Sequence, residues 1–368
     1  MSGARRHVVL DAPLSMYRGG RLASVTIAYE TWGELAGAGD NAILLFTGLS
    51  PSAHAASSAA DPAPGWWEYM IGPGRPIDTD RFFVICINSL GSCFGSTGPA
   101  SDNPVTGEPY RVDFPLLSVE DIAAAARAAC LALGIEHVHT VAGCSLGGMD
   151  VLAYALMYPG TYRDLISISA AVHANPMAIA VRSLQRDIIR TDPAWQGGYY
   201  PADGGPAEGM RLARKLGMMS YRSGVEWLER FDRQPIDPAE RGDDAHGPDF
   251  EIERYLDHNA RRFIGTFDAN CYLYLSHAMD LFDVAEHGGG SVEAAMQGID
   301  ARRALVAGVQ TDWLFPLDEQ REIARLLAAA GVDVSLHELA SPQGHDSFLI
   351  DQDRFAPMMR GFLDASGV

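Results

Sequence analysis

The sequence predicts an α/β fold with a mostly parallel central sheet and a helical insertion between its two halves. Three observations lead there. Short continuous apolar runs such as residues 42–46 and 82–87 end in polar and glycine residues (Thr47-Gly48; Asn88, Ser89, Gly91). Such runs suit strands covered on both faces, as in a parallel sheet. Strand-like runs then alternate with helical ones, which is the rhythm of βα units. Finally, residues 173–296 break that rhythm with helical periodicity and no clear strand.

In chain order, residues 24–29 read as a strand, followed by the strands 42–46 and 82–87. Residues 119–133 form an alanine-rich helix, with Ser118 as its N-cap and Glu120 and Asp121 in its first turn. A strand at 137–142, a helix at 149–157 ending near Pro159, and a strand at 165–170 follow. The helical segment holds patterns at 178–190, 209–219 and 252–266, and a polar loop at 235–248. The rhythm resumes with a strand at 304–309, a helix at 318–330, a strand at 332–338 and a last helix at 354–363. The expected division is a core of residues 1–172 and 297–368 with a helical lid or cap at 173–296.

Composition narrows the function. With 368 residues, 47% of them hydrophobic, the chain can bury one large core, or a core with a smaller appendage. A formal net charge of −19 argues against nucleic acid as a partner. No apolar run is long enough to cross a bilayer. Arg5, Arg6 and His7 are not followed by an apolar segment with a cleavage site, so no signal peptide is read. Cys86, Cys93, Cys130, Cys144 and Cys271 form no CxxC pair and no zinc-type cluster. The expectation is free thiols in a reducing cytoplasm, no metal, no bound cofactor and no membrane.

Gly143-Cys144-Ser145-Leu146-Gly147 fits G-x-S-x-G and lies between a predicted strand and a predicted helix, the context that gives this pattern its meaning. Ser145 would sit at the helix start, where the Leu146 amide and the helix dipole can stabilise an oxyanion. Cys144 would point away into packing. Serine needs a base, and the base an orienting acid, in the chain order Ser, Asp or Glu, His. His345 in Gly344-His345-Asp346 and Asp312 in Thr311-Asp312-Trp313 lie just beyond strand ends, where such sheets gather their ligands. The second oxyanion donor is expected from Thr47-Gly48-Leu49-Ser50, from an amide around Gly48 to Leu49. His137 and His139 fall on the wrong side of the nucleophile turn. His54 reads either as lining the site or as an exposed loop residue.

At these residues the chain resembles the homoserine O-acetyltransferase family of α/β-hydrolase-fold acyltransferases. The resemblance runs nearly end to end. It includes Ala28-Tyr29-Glu30-Thr31-Trp32-Gly33, Gly65-Trp66-Trp67-Glu68, Gly95-Ser96-Thr97-Gly98-Pro99-Ala100, Ser145-Leu146-Gly147-Gly148-Met149, Asp312-Trp313-Leu314-Phe315-Pro316 and Gly344-His345-Asp346. Asn88 to Cys93, Arg182 to Arg186, Asn270 to Ser276 and the loop Gly48-Leu49-Ser50-Pro51 are similar to the serine O-succinyltransferase branch. Cys144 and Leu146 are not the commonest neighbours of the nucleophile in that family.

The resemblance implies an acyl-CoA co-substrate, a ping-pong acyl-enzyme mechanism and a homodimer formed through the helical insertion. It implies that Arg214 binds the carboxylate and Asp346 the ammonium of an amino acid. It also implies that Gly48, Leu49, Ser50 and Pro51 discriminate serine from homoserine, and that Arg182 bears on acyl-CoA choice. The expected reaction is succinyl-CoA with L-serine, giving O-succinyl-L-serine for cysteine synthesis. Acetyl-CoA as donor, L-homoserine as acceptor and a plain esterase on the same fold remain alternatives.

The residues offer their own support for an anionic ligand. Arg182, Arg186 and Arg190 recur every four positions and so share one helix face. With Arg211, Arg214, Lys215 and Arg222 they outnumber the acids Asp187, Asp192, Asp203 and Glu208 of the same stretch, in an otherwise acidic chain. An arginine fork suits the free carboxylate of a succinyl group. Salt bridges on a solvated helix are the competing role for Arg186 and Arg190.

Overall fold

A computed structural model of the chain describes residues 3–37 and 39–367. Its centre is an eight-stranded sheet. The strands are β1 (Arg6–Val9), β2 (Thr26–Trp32), β3 (Ala42–Phe46), β4 (Phe83–Ile87), β5 (Val138–Cys144), β6 (Tyr162–Ile168), β7 (Arg303–Val309) and β8 (Asp333–Leu339). Their spatial order is β1-β2-β4-β3-β5-β6-β7-β8. β2 runs antiparallel to both neighbours, and the other pairs are parallel.

Side chains explain why the central strands are unbroken apolar runs. β3, β5 and β7 are buried along their whole length, because both faces of the sheet are covered. On one face pack α1 (Val119–Ala132), α2 (Leu146–Met157) and α9 (Leu317–Ala329), through residues such as Ile122, Met149 and Ile323. On the other, α10 (Gln352–Asp364) contributes Phe355, Met359 and Phe362, alongside Trp67 and Met70 from the loop after β3. α1 starts where its Ser118 side chain accepts the Asp121 N–H, and Asp121 answers by accepting the Ser118 N–H.

Between β6 and β7 the chain forms α3 (Pro176–Thr191), α4 (Ala207–Tyr221), α5 (Gly224–Phe231), α6 (Glu251–Phe263), α7 (Ala269–Leu281) and α8 (Val292–Met296). Among the described residues this region contributes isolated β-bridges but no strand. α3 and α4 pack at close range: a Cβ on Gly209 would come within 2.9 Å of the Ile189 Cα.

Several elements depart from the sequence reading. β1 was not expected; it is a mostly exposed edge strand without apolar alternation. α7 was not expected because it is buried on nearly every side, which removes the polar stripe that marks an amphipathic helix. α5 was also missed, being only eight residues long. α6 ends at Phe263 rather than continuing to 266, since Ile264 adopts an extended conformation.

His54 neither bonds Ser145 nor hangs in solvent. Its Nδ1 lies 2.8 Å from Glu30 Oε2 and its Nε2 lies 2.9 Å from the Ala63 carbonyl. Both partners are acceptors, so both contacts are hydrogen bonds only when the ring is an imidazolium. Burial opposes that charge, but the Glu30 and Ala63 hydrogen bonds outweigh it and raise the pKa above 6.5. Because the folded value is the higher one, the stabilisation is complete below the unfolded pKa and is lost as pH rises through the folded value. We expect the urea midpoint to fall between neutral and mildly alkaline pH, and His54→Gln to flatten that dependence. An unchanged slope in the variant would show that the pair contributes nothing.

Candidate active site

The nucleophile turn is built by backbone crowding. β5 ends at Cys144, α2 begins at Leu146, and Ser145 between them holds φ 58° and ψ −121°. A non-glycine residue pays for this conformation, which is typical of a serine lifted out of a strand-to-helix turn. Glycine is required on both sides. A Cβ on Gly143 would sit 2.2 Å from the Gly147 carbonyl oxygen, and one on Gly147 would sit 2.7 Å from that of Phe46. The Cys144 side chain goes into the apolar layer beneath the sheet.

His345 reaches Ser145 from a position 200 residues away. Its Nε2 lies 2.8 Å from the Ser145 Oγ, and its Nδ1 lies 2.7 Å from Asp312 Oδ2. The other Asp312 oxygen accepts the amide N–H groups of Leu314 and Phe315, each at 3.0 Å. An acceptor-only carboxylate fixes the proton on Nδ1 and leaves Nε2 to accept the serine hydroxyl. All three side chains are buried. Phe315 stacks on the imidazole at 5.1 Å, and Phe348 meets it edge-on at 5.5 Å. Burial disfavours the imidazolium, yet the Asp312 charge and hydrogen bond prevail, so His345 titrates above its ordinary value.

One residue that sequence reasoning missed ties the acid loop to the base loop. Thr311 Oγ1 donates to the Ser341 carbonyl at 2.7 Å and accepts the Gly344 N–H at 3.0 Å. Its only signal in the sequence is its place directly before Asp312.

The segments expected to supply oxyanion amides both lie close to Ser145. Leu146 is the first residue of α2, so its amide has no partner inside the helix. The loop Gly48-Leu49-Ser50-Pro51 leaves β3 beside the nucleophile: a Cβ on Gly48 would be 3.9 Å from the Cys144 carbonyl. Thr47 at its base is held by a 3.0 Å hydrogen bond to Ser89.

Next to His345 opens a pocket of 510 Å³ lined by Arg214, Tyr221, Arg222, Phe263 and Asp346. Tyr221 lies 6.2 Å from the His345 ring, centre to centre. Arg214 sits over the Phe263 ring at 4.4 Å and makes no ion pair among the described residues. Asp346 pairs with Arg222 at 3.1 Å; burial raises its pKa, against the pull of Arg222, His345 and Arg214. Tyr221 was not singled out from the sequence, and Arg222 entered only as one of the basic residues of its stretch.

The alpha/beta hydrolase fold family matches residues 41–352. A serine O-succinyltransferase from Litchfieldella anticariensis is 69% identical over 99% of both chains. The chain is an acyltransferase of the α/β-hydrolase family. An L-serine/homoserine O-acetyltransferase from Streptomyces lavendulae is 55% identical, over 98% of this chain and 97% of its own. The crystal structure of homoserine O-acetyltransferase from Bacillus anthracis superposes with a TM-score of 0.89 at 29% identity, covering 98% of this chain and 97% of that one.

In this acyltransferase Arg182 is nine-tenths buried on α3 and donates from Nε to Asp280 Oδ1 at 2.5 Å. Arg186 pairs with the other Asp280 oxygen at 2.7 Å and also bonds Ser276. Arg190 remains exposed beside Asp187 and Trp195. The arginine row therefore divides: its inner members share one buried carboxylate, and its outer member faces solvent. The Nη2 of Arg182 is buried and has no partner among the described residues. The Arg182 charge bears on the titration of His345, Tyr221, Tyr272 and Glu319. Glu319 is a further buried group missed from the sequence. Burial and the neighbouring Asp312 raise its pKa to about 7, while Asn175 donates to it at 2.7 Å. No cluster of His, Cys, Asp and Glu that could hold a metal occurs among the described residues, and no helix among them is long and apolar enough to cross a membrane.

Proposed function

We propose that this acyltransferase moves a succinyl group from succinyl-CoA to the hydroxyl of L-serine, giving O-succinyl-L-serine for cysteine synthesis. The observation that carries the donor choice is Arg182. A buried guanidinium with an unpartnered N–H₂ group costs stability unless an anion completes it. The distal carboxylate of a succinyl group supplies that anion with fork geometry.

In this reading His345 takes the Ser145 proton, Ser145 attacks the thioester, and CoA leaves an acyl-serine. The Leu146 and Leu49 amides hold the oxyanion. The amino acid enters the adjoining pocket, its carboxylate on Arg214 and its ammonium on Asp346. Its hydroxyl then attacks, with His345 again as the base. The helical segment 173–296 acts as the cover that keeps water from the acyl-enzyme. Two copies of the chain pair through it. Gly48 to Pro51 borders the acceptor and limits its length.

The Streptomyces relative supports a second reading, acetyl transfer to serine or homoserine. Purified protein assayed with serine and homoserine, each against succinyl-CoA and acetyl-CoA, separates the two. We expect the highest kcat/KM for succinyl-CoA with serine. Arg182→Ala should lower the succinyl value ~100-fold, the scale of removing one partner of a buried charge pair, and the acetyl value far less. Equal losses for both donors would reject the carboxylate role. Release of free succinate as fast as transfer would favour an esterase.

A further inference from the structure

The chain leaves β6 for α3 through residues 169–175, and two neighbouring side chains at the start of α9 grip this connection. Gln320 is fully buried and brackets Ala170: its Oε1 accepts the Ala170 N–H at 3.2 Å, and its Nε2 donates to the Ala170 carbonyl at 2.6 Å. Glu319 holds the far end of the connection. Its Oε1 accepts one N–H of the Asn175 side chain at 2.7 Å. The Asn175 Nδ2 also donates to the Leu314 carbonyl at 2.8 Å, and its Oδ1 accepts the Ala178 N–H at 2.8 Å, which caps α3.

One side chain thus stands between two parts of the site. On one side is α3, with Arg182 about two turns beyond the cap. On the other is the segment whose Leu314 and Phe315 amides hold Asp312, and whose Phe315 ring stacks on His345. The three contacts need one acceptor and two N–H groups on a short side chain, and asparagine supplies that set. Capping α3 alone would be served as well by aspartate or serine. The other Glu319 oxygen is buried without a hydrogen-bond partner among the described residues, so this carboxylate depends on the Asn175 amide.

We propose that Asn175 is a positioning residue for acyl transfer: with Glu319 and the Leu314 carbonyl it clamps the cap of α3 to the Asp312 loop. The helix that carries Arg182 and the loop that aims His345 then keep one fixed spacing. The inference rests on the roles proposed above for Asp312, His345 and Arg182, through which Asn175 acts. Without the clamp α3 can still form, but its N-terminus and the Asp312 loop shift independently. A displacement of about 1 Å at such a centre costs on the order of 10²-fold in rate. The kcat responds through His345, and the KM for succinyl-CoA responds through Arg182.

The test is a rescue experiment on the full-length protein, assayed with succinyl-CoA and serine well below the thermal midpoint. Asn175→Asp keeps the cap but turns an acceptor toward Glu319 and the Leu314 carbonyl. Its kcat should fall about 10- to 100-fold and its KM for succinyl-CoA should rise. Adding Glu319→Gln reverses the hydrogen bond, because the new amide donates to the new carboxylate, and should recover about tenfold in kcat. Asn175→Ser keeps the cap, adds no charge and lacks both N–H groups. It should lose kcat as well, and Glu319→Gln should not restore it. Parental kcat and KM in Asn175→Ser would overturn the proposal even if the thermal midpoint drops, since that is all a structural cap predicts. An Asn175→Asp defect that Glu319→Gln leaves untouched would overturn it too. Asp312→Asn assayed alongside tells the two possible failures apart. Parental activity there would sink the catalytic reading and this proposal with it. A crippled Asp312→Asn beside a fully active Asn175→Ser would overturn this proposal alone.

Discussion

Ser145→Ala is expected to leave a folded protein whose transfer rate has dropped by about 10⁴- to 10⁶-fold, the range set by removing the nucleophile from serine enzymes of this design. The fold should tolerate the change, because Ser145 contributes backbone rather than side-chain packing. Its amide bonds Ile168 and its carbonyl accepts the Gly148 and Met149 amides, and alanine keeps all three. Its φ of 58° is already strained, and alanine neither relieves nor worsens that much. Two measurements check the prediction. The thermal midpoint should stay close to that of the parent. Intact mass after exposure to acyl-CoA without acceptor should show an acyl adduct on the parent and none on the variant. A variant within tenfold of the parental rate would mean that Ser145 is not the nucleophile.

Asp312→Asn should cost about 10⁴-fold in kcat with the architecture retained. Asparagine can still present an oxygen to the Leu314 and Phe315 amides. It then turns an N–H₂ toward His345 Nδ1, which can no longer donate there. The imidazole proton moves to Nε2, and Ser145 loses its acceptor. The pH profile gives a second readout. His345 must be neutral to act as a base, so activity falls as pH drops through its pKa. Asp312 helps to raise that pKa above 6.5, so the acid limb of kcat/KM in the parent should lie above the usual histidine value. The residual activity of the variant should show the limb moved to lower pH. A limb that stays in place would assign it to another group, and Glu319, raised to about 7 beside Asp312, would be the first to examine.

The central sheet and the hydrogen-bonded grouping of Ser145, His345 and Asp312 were legible because their signals are local. A continuous apolar run reads as a buried parallel strand, and Gly143 and Gly147 mark a turn that no larger residue can make. Ser145, Asp312 and His345 each follow a strand, so topology alone gathers them at one sheet edge. What escaped depends on partners distant in sequence. α7 carries no amphipathic stripe because neighbours cover it on nearly every side, and only the fold supplies those neighbours. His54 could not be placed without knowing that Glu30 and the Ala63 carbonyl flank it. Arg182 and Arg186 read as a helix face, but their shared Asp280 lies 98 and 94 positions later, so the division of labour between buried and exposed arginines was invisible. Tyr221, Arg222 and Thr311 sit beside recognised residues and carry no pattern of their own.

The 200-position span between Ser145 and His345 has a consequence for the life of the chain before it is complete. Parallel strands pair through long connections and are slow to form. Synthesis delivers Ser145, its turn and the Leu49 and Leu146 amides well before β7 and β8 exist. Until those last strands dock, Ser145 lacks the His345 ring that its hydroxyl meets in the finished fold. Under the proposed mechanism a nascent or half-folded molecule cannot consume thioester, and reactivity switches on only when the far end of the chain closes the sheet.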